Sequence, residues 1–564
     1  MLASIRFVVP TAVVAAIVAG CASPERSMPG FTAEAIERHT SILAHDSLEG
    51  RGTGQSGYDR AAAYVADQFR RYGLEPGGAD GSFLQPIRFR EAVLVPGSAT
   101  VEITGPRPAT LVDRQDFILS PDFADTVTAV SAPVVFVGYG VSVPELGHDD
   151  YAGIDVEGKV VASFFGGPPS LPPNPRAHLS GTEKARVAAA HGAVGLISLW
   201  NEDVEKGLAW AFLERVARRS QMTWLNPDGT MPADVPEIAG GAMLNTAASA
   251  RLFAGSGLDW PTALEAARTG AKRSAALAAG IRIRRSSSWR EVTAANVIAR
   301  LPGSDPALAG EYVVFTAHLD HDGIGEPMAG DSIYNGAFDN ATAVASLLEL
   351  ARAFAEQRPR PKRSLLFIAT AAEEKGLLGA ASFVANPPVP IESIVANLNM
   401  DGNHLLFPTR SIVTLGAETS TLGDDAAAAT AAAGLDQETE LMPEQAFFIR
   451  SDQYPFVKRG VPALFFVNGT RSSDSTVNGA ADLGRWLGSV YHTPQDDLSQ
   501  RMHYPSGAKY TEVVYRVGER VANAVARPTW RPGDFFGDRF GKRPATASRG
   551  PAPAAPAATA SSSP

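Results

Sequence analysis

The sequence predicts an α/β protein, a sheet with helices on both faces, interrupted by an inserted β-rich module. Three observations predict it. From Asn296 onward, apolar strand-like runs alternate with segments of helical period. Between Ala92 and Arg290 the texture is instead one of short β-like runs separated by dense Pro and Gly. The composition, 45% hydrophobic and 20% charged over 564 residues, is that of a globular chain long enough for two or three domains. A net charge of −10 and a pI of about 5.6 offer no basic field to a nucleic-acid backbone, so no nucleic-acid partner is expected.

Taken in order, the chain opens with Arg6 as the one charge before a mostly apolar run, 7–19. This is too short for a permanent spanning helix and has the form of a secretory signal. The run ends Val18-Ala19-Gly20-Cys21, which resembles the bacterial lipoprotein signal, in which the Cys is lipidated and becomes the new N-terminus. The resemblance implies a signal peptide at 1–20 and a membrane partner reached through lipidated Cys21. The location it implies is the bacterial cell envelope, with Ala22 compatible with outer-membrane sorting, facing periplasm or surface. Cys21 is the chain's one cysteine, so neither internal disulfides nor thiolate metal ligands are expected.

A polar linker, 21–30, follows, and the first part of the main domain is expected at 31–91. There Ile36, Ile42 and Leu43 fall at helical intervals. A second amphipathic helix carries Ala61, Tyr64, Val65, Phe69 and Tyr72 and stops at Gly73. Between them lies Leu48-Glu49-Gly50-Arg51-Gly52-Thr53-Gly54. It lacks the Lys-Ser/Thr ending of a P-loop and the Rossmann spacing, so it reads as a structural turn. The insert, 92–290, shows β-like runs at 93–95, 100–103, 134–137 and 159–165, then an Ala-rich helix entering a strand at 192–199. The catalytic part, 291–527, has strand-like runs at 296–300, 312–317, 364–370, 394–399, 411–415 and 463–467. Helical patterns lie at 342–356, 376–384 and 424–433. The Pro/Ala/Ser-rich tail, 528–564, is expected to be disordered.

The chemistry centres on Thr316-Ala317-His318-Leu319-Asp320-His321, which closes an apolar run. His318 and Asp320 are two apart at a strand end and so face the same way. His318 reads as a metal ligand and Asp320 as the carboxylate that orients it. Asp339, Glu373, Glu374 and Asp401 also stand at the ends of apolar runs or in adjoining Gly loops, where open α/β sheets gather ligands. His492 adds a second imidazole. In the adjacent pair Glu373-Glu374, one carboxylate can bind a metal while the other takes a proton from water. Nitrogen and oxygen donors without sulfur suit zinc, and a shared carboxylate suits a pair of ions.

The order His-x-Asp, Asp-Asn, Glu-Glu, Asn-x-Asp, His resembles metallopeptidase family 28, the co-catalytic zinc exopeptidases. The resemblance extends to Gly330-Asp331-Ser332-Ile333-Tyr334-Asn335-Gly336-Ala337, Arg450-Ser451-Asp452, Gly460-Val461-Pro462-Ala463 and Tyr491-His492-Thr493-Pro494-Gln495-Asp496-Asp497. It includes the early Gly-rich loop and spans about 35–90 and 291–525. It implies a mixed-sheet zinc-exopeptidase (phosphorylase/hydrolase-like) fold and two Zn²⁺ per chain, held by His318, Asp339, Glu374, Asp401 and His492, with Asp339 as the bridge. Glu373 is then the general base, Tyr491 stabilises the oxyanion, and Arg450 contacts the peptide substrate beyond the scissile bond. A non-proline cis peptide after Asp339 is also implied. Phe338 and Gln453 depart from the pattern, standing where an acid and a His are frequent, and bear on substrate preference. His321 and His404 lie close to ligands but are read as supporting or structural. The insert, through Gly138-Tyr139-Gly140-Val141, 149–161, Lys184-Ala185-Arg186 and Gly195-Leu196-Ile197, resembles the protease-associated (PA) domain, which in such proteins flanks the active site.

These readings imply an aminopeptidase. A carboxypeptidase of the same fold, a glutaminyl cyclase, a hydrolase of another amide and a metal-free receptor are the alternatives. The last would lack a ligand or the base, and this chain keeps them all.

Overall fold

The computed structural model describes residues 30–232 and 235–541. The signal-like 1–20, Cys21 and the tail beyond 541 lie outside the described residues.

The main body is a mixed α/β fold around one sheet. Its strands run, edge to edge, Gln221–Leu225, Leu84–Leu94, the second half of Ser274–Leu301, Ser364–Thr370, Tyr312–His318, Ile394–Met400, Ala463–Asn468, Ser411–Leu415 and Asp436–Glu438. The central strands Ser364–Thr370, Tyr312–His318, Ile394–Met400 and Ala463–Asn468 are mutually parallel, while Ser274–Leu301 and Ser411–Leu415 flank them antiparallel. Burial on both faces explains why they read as unbroken apolar runs rather than alternating ones.

Alternation still sorts the side chains. Val313, Phe315 and Ala317 face one way and pack with Val344 and Leu348 of helix Thr342–Glu356, Val513 and Val517 of helix Tyr504–Asn523, and Val65 and Phe69 of helix Ser56–Arg71. Tyr312 and Val314 face the other way, against Phe383 of helix Leu378–Ala385 and Phe456 of helix Gln453–Val457. Helices therefore cover both faces.

The insert has a sheet of its own, Thr100–Thr104, the first half of Ser274–Leu301, Val127–Val137, Val160–Phe164, Gly195–Leu199, Gly240–Leu244 and Phe117–Ile118. Its core centres on Phe136, Phe164, Trp260 and Ile281. The two bodies are joined in register. Ser274–Leu301 pairs in the insert through Ser286 and on Leu84–Leu94 from Ser287, so residue 290 falls inside a continuous strand. Gln221–Leu225, from within 92–290, returns to pair on Leu84–Leu94.

The expectation of disorder from 528 needs correction for 528–541. Helix Phe535–Phe540 buries Phe536, and Trp530, Phe535 and Phe540 pack on the cluster of Leu415, Phe448 and Tyr454. The Trp530 indole N–H donates to Gly460 O at 3.2 Å. Four aromatic residues within 530–540 supply the apolar mass that the Pro/Ala/Ser-rich average of the whole tail conceals. His178 of the insert is bonded to the Tyr454 hydroxyl and ringed by Phe535, Phe536 and Phe540, so this segment ties insert to main body. Ending the chain after Arg527 is expected to destabilise the fold by more than the ~1.5–3 kcal/mol of one buried Phe side chain, read as a lowered melting temperature.

Candidate metal centre

Pairing of His318 with Thr370 and of Thr316 with Asn399 aligns the carboxyl ends of three parallel strands. The loops bearing His318, Glu373-Glu374 and Asp401 therefore emerge along one sheet edge. Asp339 arrives from the turn Ala337–Ala341 that opens helix Thr342–Glu356, and the Asp339–Asn340 peptide is cis. Gly336 makes that turn possible. Its φ is 57°, and a Cβ there would lie 2.0 Å from Asp339 O and 2.5 Å from the His321 ring. His492 enters from the loop after helix Gly479–Ser489.

The donors converge around Asp339. Its Oδ1 is 3.1 Å from His318 Nε2, and its Oδ2 is 3.1 Å from His492 Nε2. Asp401 Oδ1 stands 3.2 Å from His318 Nε2, and Glu374 Oε2 stands 3.3 Å from His492 Nε2. One carboxylate thus faces two imidazoles, each with a further carboxylate of its own. The ligand atoms of His318, Asp339 and Asp401 lie within 4.8 Å of one another, as do those of His318, Glu373 and Glu374.

This arrangement fits metal ions. His318 Nδ1 is 3.0 Å from Asp320 O, a backbone oxygen that can only accept, so Nδ1 carries a proton and Nε2 faces the Asp339 and Asp401 carboxylates. Although burial lowers it, Asp401, Glu373 and Asp339 raise His318 well above the ordinary imidazole range, so the site calls for positive charge at Nε2, which a proton or a metal ion supplies. The field of the site says the same. Although burial lowers it, the Glu374 and Asp339 carboxylates raise His492 to about 9, so positive charge is favoured where its Nε2 points. A donor set of imidazole and carboxylate without sulfur matches zinc. His318, Asp339 and Asp401 could hold an ion, and His492 and Glu374 stand on the other side of Asp339.

Glu373 lies beside these ligands. Burial pushes its carboxyl well above the ordinary range, opposed by His318 and reinforced by Asp401, Glu374 and Asp452. A carboxyl with raised proton affinity beside the ligand cluster is placed to exchange a proton with a reacting water.

The expected role of Asp320 is altered. Its backbone oxygen, not its carboxylate, meets His318, because the strand ends at His318 and the two-residue alternation ends with it. The carboxylate instead accepts the N–H groups of Glu373 at 3.0 Å and Glu374 at 3.3 Å, and the Thr53 hydroxyl at 3.2 Å. Asp320 thus aims the Glu-Glu pair. His321, read from sequence as supporting or structural, is buried with its Nδ1 2.7 Å from Glu374 Oε1. Its ligand atoms also cluster with those of Asp339 and Glu374. Tyr491 stacks on His492, ring centres 3.8 Å apart, and is 37% exposed. Arg450 is exposed, lies over Phe447 and reaches Gln445 at 3.4 Å.

Several supporting groups were not singled out from sequence. Ser451 donates to Asp401 Oδ2 at 2.6 Å and accepts from Asn399 at 2.8 Å, and Asn399 also donates to Gln453 at 2.8 Å and accepts from Thr316 at 2.6 Å. Gln453, a departure from the family pattern, is therefore part of the buried scaffold behind Asp401. Asp496 accepts the N–H groups of Phe338 and Asp339 at 2.9 and 3.0 Å. Its place four residues after His492, in Tyr491–Asp497 of the family motif, was the available signal.

Two cavities open at the cluster. One, of about 610 Å³, reaches Asp339, Glu373 and Asp401 and is walled by Phe338, Leu415, Phe447, Phe465 and Trp486, with Glu438, Glu440 and Arg450 also on its lining. Phe338, the other departure, thus places a ring where an acid is frequent. The second, of about 660 Å³, lies beside Tyr491 and His492, and the insert contributes Phe212, Arg215 and Arg219 to it. Arg219 pairs with Asp322 at 2.7 Å.

Residues 296–517 match peptidase family M28. A 115-residue segment is 37% identical to a "Probable zinc metalloprotease" of Pyrenophora teres f. teres (strain 0-1), covering 20% of this chain and 23% of that protein. A 248-residue segment is 27% identical to "Leupeptin-inactivating enzyme 1" of Streptomyces exfoliatus, covering 43% and 49%. The chain thus spans between about a quarter and a half of the length of these relatives. Among solved structures, the aminopeptidase from Aneurinibacillus sp. strain AM-1 aligns over 87% of this chain and 94% of its own, with 20% identity and a TM-score of 0.49. BSAP, a zinc aminopeptidase from Bacillus subtilis, aligns over 89% and 98% with 17% identity and a TM-score of 0.42.

Proposed function

We propose that the protein is a zinc-dependent exopeptidase with two metal ions per chain, acting as an aminopeptidase. The observation that carries this reading is the shared Asp339 carboxylate, one oxygen toward His318 and the other toward His492, with Glu373 half-buried beside them. When bound, zinc supplies Lewis acidity that polarises a carbonyl oxygen and acidifies water. The chain's own residues do the rest. Glu373 takes the proton from the attacking water and delivers it to the leaving amine. Asp320 fixes Glu373 in place through its backbone N–H. Ser451 fixes Asp401. Tyr491, stacked on His492 at the cavity mouth, is placed to donate its hydroxyl to the carbonyl oxygen as that oxygen gains charge.

Charge favours a free amine. On the 610 Å³ cavity, Glu438 and Glu440 remain after the metal ligands Asp339 and Asp401 and the base Glu373 are counted, against the single guanidinium of Arg450. A carboxypeptidase reading rests on that arginine, which has no carboxylate partner among the described residues and could take a terminal carboxylate. Assaying aminoacyl p-nitroanilides beside N-blocked peptides, with and without chelator, separates the two. Chelator-sensitive cleavage of the anilides supports the aminopeptidase, and cleavage confined to N-blocked peptides supports the other. Chelator-resistant hydrolysis would remove the metal mechanism.

The aromatic and aliphatic walls of the same cavity suit a large apolar side chain. For the anilides, kcat/KM is expected to be about 10–200-fold higher for Leu or Phe than for Ala, in keeping with the discrimination apolar pockets achieve. Asp should be the poorest, facing Glu438 and Glu440. Anchoring through lipidated Cys21, a cell-envelope location and a PA-like role for the insert are part of the proposal. Among the described residues no helix is long and apolar enough to cross a membrane. Labelling with a radioactive fatty acid, lost in Cys21→Ser, tests the anchor.

A further inference from the structure

The Gly-rich loop 48–54 reads from sequence as a structural turn. At its centre Arg51 is 1% exposed, a cation in the core. Its guanidinium donates to four backbone carbonyls: Nε to Leu319 O at 2.8 Å, Nη1 to Leu43 O at 2.6 Å and Asn335 O at 2.5 Å, and Nη2 to Gly336 O at 2.9 Å. Leu319 follows His318 directly, and Asn335-Gly336 lead into Asp339. The planar fork therefore spans the two segments that carry one imidazole and the shared carboxylate. The backbone of Arg51 is itself left-handed, φ 54°, a conformation disfavoured for any residue with a Cβ. Gly50 lets the loop approach, since a Cβ there would lie 2.2 Å from Tyr334 O.

Asp496 grips the same turn from the opposite polarity. Arg51 holds the carbonyls of Asn335 and Gly336, while the Asp496 carboxylate holds the N–H groups of Phe338 and Asp339 and its backbone oxygen takes Ala337 N–H at 3.0 Å. Between them the peptide groups that lead into Asp339 are held by a fixed cation and a fixed anion. Asp496 also follows His492 by four residues, which links the second imidazole's loop to the turn.

We infer that Arg51 and Asp496 are positioning residues for the metal centre, setting where Asp339 stands relative to His318 and His492. The inference rests on the zinc reading above. Neither side chain touches substrate or metal. Each acts through the backbone of a ligand loop, and such supporting groups tune metal affinity.

The test measures zinc affinity of the full chain by competition with a chromogenic chelator, together with thermal melting of the zinc-free protein. Arg51→Lys replaces the fork by a point charge, and Asp496→Asn puts an N–H where an acceptor is needed. Arg363→Lys is the control. Arg363 is equally buried and donates to Val521 O, Ala524 O and Glu311, but it sits at the far end of strand Ser364–Thr370 from the site. Arg51→Lys and Asp496→Asn are expected to weaken zinc binding by about 10–100-fold. Arg363→Lys should lower the melting temperature with zinc affinity unchanged. Wild-type zinc affinity in Asp496→Asn, or equal weakening in Arg363→Lys, would overturn the inference. Asp496→Asn carries the test should Arg51→Lys not fold. A wild-type chain that binds no zinc would overturn the metal reading, and this inference with it.

Discussion

Glu373→Gln is expected to lower kcat on a Leu p-nitroanilide by about 10²–10⁴-fold, the range a positioned acid–base group contributes, while zinc content stays that of the wild type. The two parts of this result are separable because adjacent carboxylates have been given different surroundings. Glu374 faces His492 at 3.3 Å and His321 at 2.7 Å, whereas the proton affinity of Glu373 is raised by burial and by neighbouring carboxylates. The amide of Gln keeps the shape and one acceptor but cannot take a proton. KM should move little, since the apolar cavity and the metal ligands are untouched. Metal analysis and steady-state kinetics on the same preparation check both parts. Activity within tenfold of wild type would exclude Glu373 as the base.

Asp339→Ala should have the opposite signature, with metal and activity lost together. Asp339 presents one oxygen at 3.1 Å to each imidazole, so its removal takes a ligand from both sites at once. His318 and Asp401 on one side, and His492 and Glu374 on the other, are then left as two-donor sites, which hold zinc poorly. A bound ligand stabilises the folded state by about 4 kcal/mol at a free concentration a thousandfold above its Kd. The rise in melting temperature on adding zinc to the wild-type apoprotein should accordingly be absent in Asp339→Ala. Asp401→Ala, which strips one site alone, should retain part of that rise. Equal zinc responses in Asp339→Ala and wild type would show that the shared carboxylate does not hold the ions.

The sequence by itself determined the α/β class and the place of the chemistry on the chain. Apolar runs such as Tyr312–His318 and Ser364–Thr370 are buried on both faces and so cannot be disguised by polar alternation. The polar residues that end them are conspicuous for the same reason. The helix Thr342–Glu356 was legible because its apolar period is strong. Less legible was whatever depends on residues far apart in the chain. The insert's final strand, Ser274–Leu301, serves two sheets at once, and no local pattern marks the point of transfer. Residues 528–541 read as tail by average composition, yet fold because their aromatics find Phe448 and Tyr454.

At the site the division is finer. Residue type and order identified His318, Asp339, Glu374, Asp401 and His492 as candidate ligands. Tertiary structure alone decided that Asp320 serves the Glu pair rather than His318, that His321 meets Glu374, and that a buried arginine from the first Gly-rich loop clasps the turn before Asp339. The reason is physical. A ligand needs a particular side-chain chemistry, which sequence displays. A positioning group needs only to reach a backbone N–H or C=O, which every residue carries, so what selects it is geometry.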